Sequence, residues 1–226
     1  MDSEWPLRTL PAVNASAPLI ELDGVSVRAG SLHILKDVDL VVPPGESLGV
    51  FGSNGAGKTT LLRLVATLIR PASGRGSVLG ARIGSEDRYE VRTRIGYIGH
   101  VPGLYPEMTL GENLAFVADA RGIDRGQARD ALGAVGLLGA FDRITDRCSH
   151  GMQRRAEFAR VLMTRPDLLL LDEPHSALDA DAIELVDALV TRTVERGGGA
   201  ILVSHDRERV AGIATRSVEI IGGTIA

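Results

Sequence analysis

The residues with the clearest chemistry are Gly52-Ser53-Asn54-Gly55-Ala56-Gly57-Lys58-Thr59, followed by Thr60. They fit G-x-x-x-x-G-K-[ST], a spacing that wraps a loop around phosphate oxygens. Its glycines let backbone N–H groups approach an anion, and a helix starting behind them adds the positive end of its dipole. Lys58 is expected at the β- and γ-phosphates and Thr59 on Mg²⁺. A second group is Leu168-Leu169-Leu170-Leu171-Asp172-Glu173. A buried strand would deliver this acidic pair to the C-terminal edge of a sheet, where open α/β sheets bind ligands. Asp172 is expected in the Mg²⁺ shell, and Glu173 is expected to orient or polarise an attacking water.

These groups need elements to hold them. Ser47-Leu48-Gly49-Val50-Phe51 reads as an apolar strand running into the glycine loop. The spacing of Leu61, Leu64, Val65, Leu68 and Ile69 predicts a helix from about Gly57 to Arg70, stopped by Pro71. Upstream, Leu19 to Leu22, Val25 to Val27, His33 to Leu35 and Val38 to Val42 predict a small antiparallel sheet, followed by a turn at Pro43-Pro44-Gly45. Residues 93–98 are a further strand candidate.

The stretch from about 103 to 165 reads as mostly helical. Thr109 and Glu112 have capping-box spacing. Ser149 can cap a helix carrying Met152, Ala156, Ala159, Leu162 and Met163 on one face. A helix at about 180–196 would bury Ile183, Val186, Val190 and Val194, and Ala200 to Val203 would form a buried strand. Strands alternating with helices imply an α/β fold with a mainly parallel sheet covered on both faces.

Composition narrows the class. The 226 residues carry 25 Lys plus Arg against 29 Asp plus Glu, a net charge of −4. That balance argues against a strongly basic nucleic-acid binder, and 4% aromatic residues argue against a base-stacking platform. Apolar residues at 44% exclude disorder of the whole chain, and a single cysteine, Cys148, excludes a disulfide scaffold. No apolar run approaches the ~20 residues of a spanning helix. The first residues lack a secretory pattern, so a cytosolic chain with reduced Cys148 is expected. Residues 1–17 read as a flexible leader and 18–226 as one domain, with a helical subdomain at about 101–165.

From about Leu19 onward the sequence resembles the ATP-binding subunits of ABC transporters. Besides the two motifs above, Cys148-Ser149-His150-Gly151-Met152-Gln153 stands at the signature position, Ser176-Ala177-Leu178-Asp179 resembles the D-loop, and Ser204-His205-Asp206 resembles the switch-histidine motif. The resemblance implies a P-loop ATPase core with an N-terminal antiparallel β-subdomain and a helical subdomain. It also implies a head-to-tail dimer in which each ATP lies between one subunit's phosphate loop and the other's signature. Ser149 and Gly151 would then face the partner's γ-phosphate, His205 would contact the γ-phosphate in its own subunit, and Asp179 would organise the dimer. An integral-membrane permease and a second ABC ATPase subunit, identical or different, are the implied partners. The implied place is the cytoplasm, at the inner face of the cell membrane through the permease.

Three features depart from the family pattern. Val27-Arg28-Ala29-Gly30 lacks the usual adenine-stacking aromatic, a loss of roughly 1 kcal/mol. Tyr97-Ile98-Gly99-His100-Val101-Pro102 lacks the glutamine expected near Val101. His150 stands where the signature usually has glycine, and His175 where threonine is common. With His100 and His205 this places four of the five histidines on site motifs, and pH-sensitive hydrolysis between about 6 and 7 is one expectation. A regulatory subunit that closes on ATP but hydrolyses poorly beside another cassette is the alternative reading.

Local phrasing resembles the heme exporter ATPases of cytochrome c biogenesis. It lies in Gly52-Ser53-Asn54-Gly55, Leu64-Val65-Ala66-Thr67-Leu68-Ile69-Arg70-Pro71, Gly99-His100 and Gly151-Met152-Gln153. Glu112-Asn113-Leu114 is shared with many export-type relatives.

Overall fold

Strands β1 (Ile20–Ala29) and β2 (Leu32–Val42) alternate buried and exposed residues and pair antiparallel, with Ile20 opposite Val42 and Leu22 opposite Leu40. Strand β3 (Ser47–Phe51) is buried throughout and leads into the glycine loop and helix α1 (Lys58–Val65). Strands β4 (Ser73–Val78) and β5 (Ala81–Arg82) return to the first sheet and complete a four-stranded order β2-β1-β4-β5. The structure, a computed structural model, describes residues 17–176, 178 and 180–226. The expected leader lies outside the described residues apart from Ala17.

Helix α1 is shorter than its apolar spacing predicts. The chain turns left-handed at Thr67, with φ 59°, and the Thr67 and Leu68 amides donate back to Leu64 and Arg63 carbonyls at 2.9 Å each. Arg92 secures this turn by donating to the Thr67 carbonyl at 2.6 Å and its hydroxyl at 3.0 Å. Leu68 is consequently 51% exposed rather than in the core, and Pro71 follows a helix that has already ended.

Helix α2 (Arg88–Val91) and a 3-10 turn lead to β6 (Ile95–Ile98). Helices α3 (Leu110–Arg121), α4 (Gly126–Ala134) and α5 (His150–Thr164) occupy most of the stretch expected to be helical, with short 3-10 turns at 138–140 and 145–147. Thr109 forms a full capping box with Glu112, and the Ser149 hydroxyl caps α5 by accepting from the Met152 amide at 3.3 Å. The order then runs β7 (Leu168–Asp172), α6 (Ala180–Glu195), β8 (Gly199–Val203), α7 (Arg207–Ala211), β9 (Arg216–Ile221) and β10 (Thr224–Ile225).

The second sheet has the order β10-β9-β3-β8-β7-β6. Every pair in it is parallel except β10 with β9. Period-two alternation divides its strands between two cores. Leu168 and Leu170 of β7 pack with α1 and the antiparallel sheet, while Leu169 and Leu171 pack with α3, α4, α5 and α6. The expected α/β fold with a mainly parallel, doubly covered sheet is therefore the observed one. This arrangement brings the C-terminal ends of β3, β7 and β8 side by side.

Candidate active site

The glycine loop leaves β3 at that sheet edge. Gly52, Gly55 and Gly57 have φ of 146°, 79° and 111°, a region that L side chains rarely adopt. A Cβ on Gly52 would come within 2.5 Å of the Ile220 carbonyl, and one on Gly57 within 2.8 Å of the Leu35 side chain. Space as well as φ therefore requires glycine at 52 and 57. Helix α1 begins behind the loop with Gly57 as N-cap and no side-chain cap, so its first amides stay available to an anion.

The loop folds around Lys58. Its ammonium donates to the Gly52 carbonyl at 2.7 Å and the Ser53 carbonyl at 3.0 Å, and the Ala56 amide donates to the Ser53 carbonyl at 3.1 Å. Next along the helix, the Thr59 hydroxyl donates to Asp172 Oδ2 at 2.8 Å. A hydroxyl beside a carboxylate is a hard-oxygen donor set that suits Mg²⁺, an ion that fills its other positions with water and phosphate oxygens. The site therefore fits that metal.

Glu173 follows β7 in a left-handed conformation, φ 50°, and its amide donates to the Val203 carbonyl at 2.8 Å. This turns the carboxylate away from the strand line. His205, two residues beyond β8, places Nδ1 2.9 Å from Glu173 Oε2, and the Ser204 hydroxyl reaches the same oxygen at 3.4 Å. The His205 side chain is 83% exposed and that of Glu173 21%, so the imidazole sits on the solvent side of the pair.

A cleft of about 450 Å³ joins these groups, lined by Ile34, Asn54, Gly55, Gly57, Lys58, Thr59, Thr60, His100, Asp172 and Glu173. None of these is Phe, Tyr or Trp, in line with the sequence at Ala29, which lies exposed at the end of β1. His100 reaches the cleft from the loop after β6, whereas Val101 is 75% exposed and brings no polar group.

Of the other predicted residues, Ser149 is exposed and Gly151 half-buried at the start of α5, and neither lines this cleft. His150 is exposed beside them. His175 does not line the cleft: its Nε2 lies 2.9 Å from Asp187 Oδ1 on α6, with the side chain only 7% exposed. Asp179 lies outside the described residues. At this subunit's own site the histidines brought together are His100 and His205.

Two of the buried polar residues without a counterpart among the sequence expectations brace the surroundings of the site. Asn113, 3% exposed, accepts from the Tyr105 amide at 2.7 Å and donates to the Tyr105 and Thr109 carbonyls and the Thr145 hydroxyl at 3.0 Å each. In sequence the Glu112-Asn113-Leu114 setting is only local phrasing, and the structure gives Asn113 a bracing role. The second is Glu157, 1% exposed, accepting from the Gly103 amide at 2.9 Å. Burial pushes its carboxyl above the usual range, against the lowering effects of that amide, Arg160 and Arg154.

A phosphate-cradling loop, a hydroxyl–carboxylate pair and a second carboxylate held by histidine, all on one parallel sheet edge, define a P-loop nucleoside triphosphatase. The ABC transporter family matches residues 35–176 of the chain. The chain belongs to that family, as the ATP-binding subunit of a transporter, and it hydrolyses ATP. It is 37% identical over 216 residues to the aliphatic sulfonates import ATP-binding protein SsuB 1 of Xanthomonas axonopodis pv. citri (strain 306), covering 92% of this chain and 83% of the relative. It is 33% identical over 218 residues to the cytochrome c biogenesis ATP-binding export protein CcmA of Xanthomonas oryzae pv. oryzae (strain MAFF 311018), covering 95% and 97%. A solved ATP-binding subunit of an ABC transporter superposes with TM-score 0.84 at 27% identity, covering 92% of this chain and 88% of that one. The ATP-binding cassette MJ0796, solved as a dimer in a post-hydrolysis state with ADP and Pi, superposes with TM-score 0.82 at 25% identity, covering 91% and 96%.

Proposed function

We propose that this chain is the hydrolytic subunit of an export-type ABC transporter, with heme for cytochrome c biogenesis as its cargo class. The observation that carries the hydrolytic part is the convergence of Lys58, the Thr59–Asp172 pair and the Glu173–His205 pair on one cleft. The backbone of Gly52, Ser53, Asn54, Gly55, Ala56 and Gly57, with Thr60 behind it, cradles the phosphates of ATP. Lys58 exchanges its two carbonyl partners for β- and γ-phosphate oxygens. Thr59 and Asp172 would hold Mg²⁺, which would supply charge neutralisation for the phosphates. Glu173 orients the attacking water, and His205 holds Glu173 and contacts the γ-phosphate.

Ser149 and Gly151 do not line this subunit's own cleft, and they stand at a helix start that suits a γ-phosphate presented by a second ABC ATPase subunit, identical or different. Asp179 takes its dimer-organising role from the family resemblance. The other partner is an integral-membrane permease, which holds the chain at the cytoplasmic face of the membrane. Among the described residues no helix is long and apolar enough to cross a membrane. Residues 18–226 act as one ABC ATPase domain in which the helical part, about 101–165, transmits closure to the permease.

The export reading rests on local phrasing shared with the cytochrome c biogenesis type, although identity to the sulfonate importer is higher, 37% against 33%. Deleting the gene in its host and restoring either the parent chain or Glu173→Gln tests the cargo. Loss of heme-stained c-type cytochromes with Glu173→Gln, with growth on aliphatic sulfonates intact, is expected. The reverse pattern replaces export with import.

The exposed Val101 favours a second reading, a regulatory subunit with weak hydrolysis. Light scattering on Glu173→Gln with and without MgATP separates the two. An ATP-dependent dimer is expected for the hydrolytic subunit, and a monomer in both conditions favours the regulatory one.

A further inference from the structure

Helix α5 buries charged residues where a helix packed against a sheet ordinarily buries apolar ones. Arg154 and Glu157 are 2% and 1% exposed, and their side chains lie 3.3 Å apart. Arg160, one turn further, approaches the same carboxylate at 3.8 Å. Removing such ions from water is costly, and apolar side chains of similar volume often serve stability as well or better. The Arg154 Nε and Arg160 Nε atoms have no hydrogen-bond partner among the described residues, so the group is not arranged for maximum stability.

Its other hydrogen bonds among the described residues go to two backbone segments. Arg154 donates through one guanidinium nitrogen to the Gly99 carbonyl, and through the other to the Asp172 carbonyl at 2.9 Å and the Glu173 carbonyl at 3.1 Å. Glu157 accepts from the Gly103 amide at 2.9 Å, and Arg160 donates to the Tyr97 carbonyl at 2.9 Å. The loop from Gly99 to Gly103 is thus gripped at both ends by α5. The same arginine grips the left-handed turn that aims Glu173, whose φ of 50° is strained for a non-glycine residue. An apolar replacement would fill the volume but hold none of these carbonyls.

We propose that Arg154 and Glu157 are positioning residues for hydrolysis, locking Glu173 and the 99–103 loop to the helix that begins at Ser149. Displacement of α5, whose first turn is the surface offered to a second subunit, then reaches Glu173 through rigid side chains. The loop takes part through its backbone, so Val101 needs no polar side chain. This rests on the assignment of Glu173 as the water-orienting group.

The test uses the full chain in three variants: Arg154→Met combined with Glu157→Leu, Arg154→Lys alone, and Glu173→Gln as reference. Phosphate release gives kcat, titration with a fluorescent ATP analogue gives affinity, and thermal unfolding gives Tm. The double variant is expected to melt within a few degrees of the parent, because an ion pair has been exchanged for apolar volume. Its nucleotide affinity stays within about threefold while kcat falls about tenfold or more, the signature of misplaced rather than missing groups. With Glu173→Gln added, it still forms an ATP-dependent dimer.

Arg154→Lys keeps the charge beside Glu157 but offers one ammonium in place of two nitrogens, and shows the same split between kcat and affinity. A folded variant of either kind with kcat within about twofold of the parent overturns the proposal. So does a parallel fall of kcat, affinity and Tm, which marks a purely structural role. If Glu173→Gln alone retains full hydrolysis, the assignment of Glu173 fails with Arg154 and Glu157 intact, a result distinct from failure of the coupling.

Discussion

His205 Nδ1 and Glu173 Oε2 meet at 2.9 Å across the ends of β8 and β7, neighbouring strands of the parallel sheet. The contact is possible because Glu173 leaves its strand in a left-handed turn while its amide still pairs with the Val203 carbonyl. The carboxylate therefore has one oxygen committed to His205, and its other oxygen makes no hydrogen bond to the described residues and can take a water. His205→Ala removes the constraint without touching the phosphate loop. The expected result is a fall in kcat of about 10²-fold with nucleotide affinity little changed. Phosphate-release kinetics over a range of ATP concentrations checks it, and a rise in KM alone would contradict the positioning role.

Lys58 occupies its place by bonding to the carbonyls of its own loop, so ATP must exchange those neutral acceptors for charged ones. Hydrogen bonds to charged groups are worth about 1.5–3 kcal/mol. Lys58→Ala is accordingly expected to weaken MgATP binding about 10- to 100-fold. Unfolding followed with and without saturating MgATP checks this, since the ligand-induced rise in Tm should nearly disappear while the ligand-free Tm changes little.

The residues that carry the chemistry are legible in the sequence because each motif is contiguous and each is placed by strong local patterning. Four leucines in a row before Asp172 read as a buried strand, and the Gly52 to Thr59 run carries its own turn geometry. What escapes such reading is decided by partners distant in sequence. Strand β4, Ser-Gly-Arg-Gly-Ser-Val, has no apolar alternation and exists because β1 offers it a ladder. The early end of α1 depends on Arg92 reaching Thr67. On α5, Arg154 and Glu157 read as a polar face opposite Ala156 and Ala159, yet all four are buried. No local pattern distinguishes a charge turned to solvent from one turned to the carbonyls of another strand. Asp179, which resembles a D-loop residue, lies outside the described residues.

Asn113 uses both atoms of its amide on the segment that joins the 99–103 loop to α3. With its side chain gone, the Tyr105 amide and carbonyl, the Thr109 carbonyl and the Thr145 hydroxyl each lose a partner. Buried groups left unsatisfied cost about 1–3 kcal/mol. Asn113→Ala is expected to lower stability by about 2–4 kcal/mol. Urea unfolding checks it, with a lower midpoint at an unchanged slope. Asn113→Asp, which keeps the acceptor for the Tyr105 amide but turns a carboxylate oxygen toward the Tyr105 and Thr109 carbonyls, should be no milder.

Glu157 gives the chain a pH dependence whose sign follows from its surroundings. The groups facing it are Arg154 and Arg160 on its own helix and the Gly103 amide from the loop, with the Tyr97 hydroxyl also feeling its charge. Burial outweighs the arginines and the amide and raises its pKa above the ordinary 4.5. A carboxyl with a raised folded-state pKa binds its proton more tightly when folded. Its contribution to stability is therefore fully present below 4.5 and is lost as pH rises through the folded value. Glu157→Gln resembles the protonated form at every pH. The Tm of the variant minus that of the parent should thus become more positive as pH is raised from about 4 to 7. Thermal unfolding of both proteins across that range measures the difference directly. A difference that moves in the parent's favour with rising pH would mean that Arg154 and Arg160 dominate, and that the carboxylate is held ionised between them.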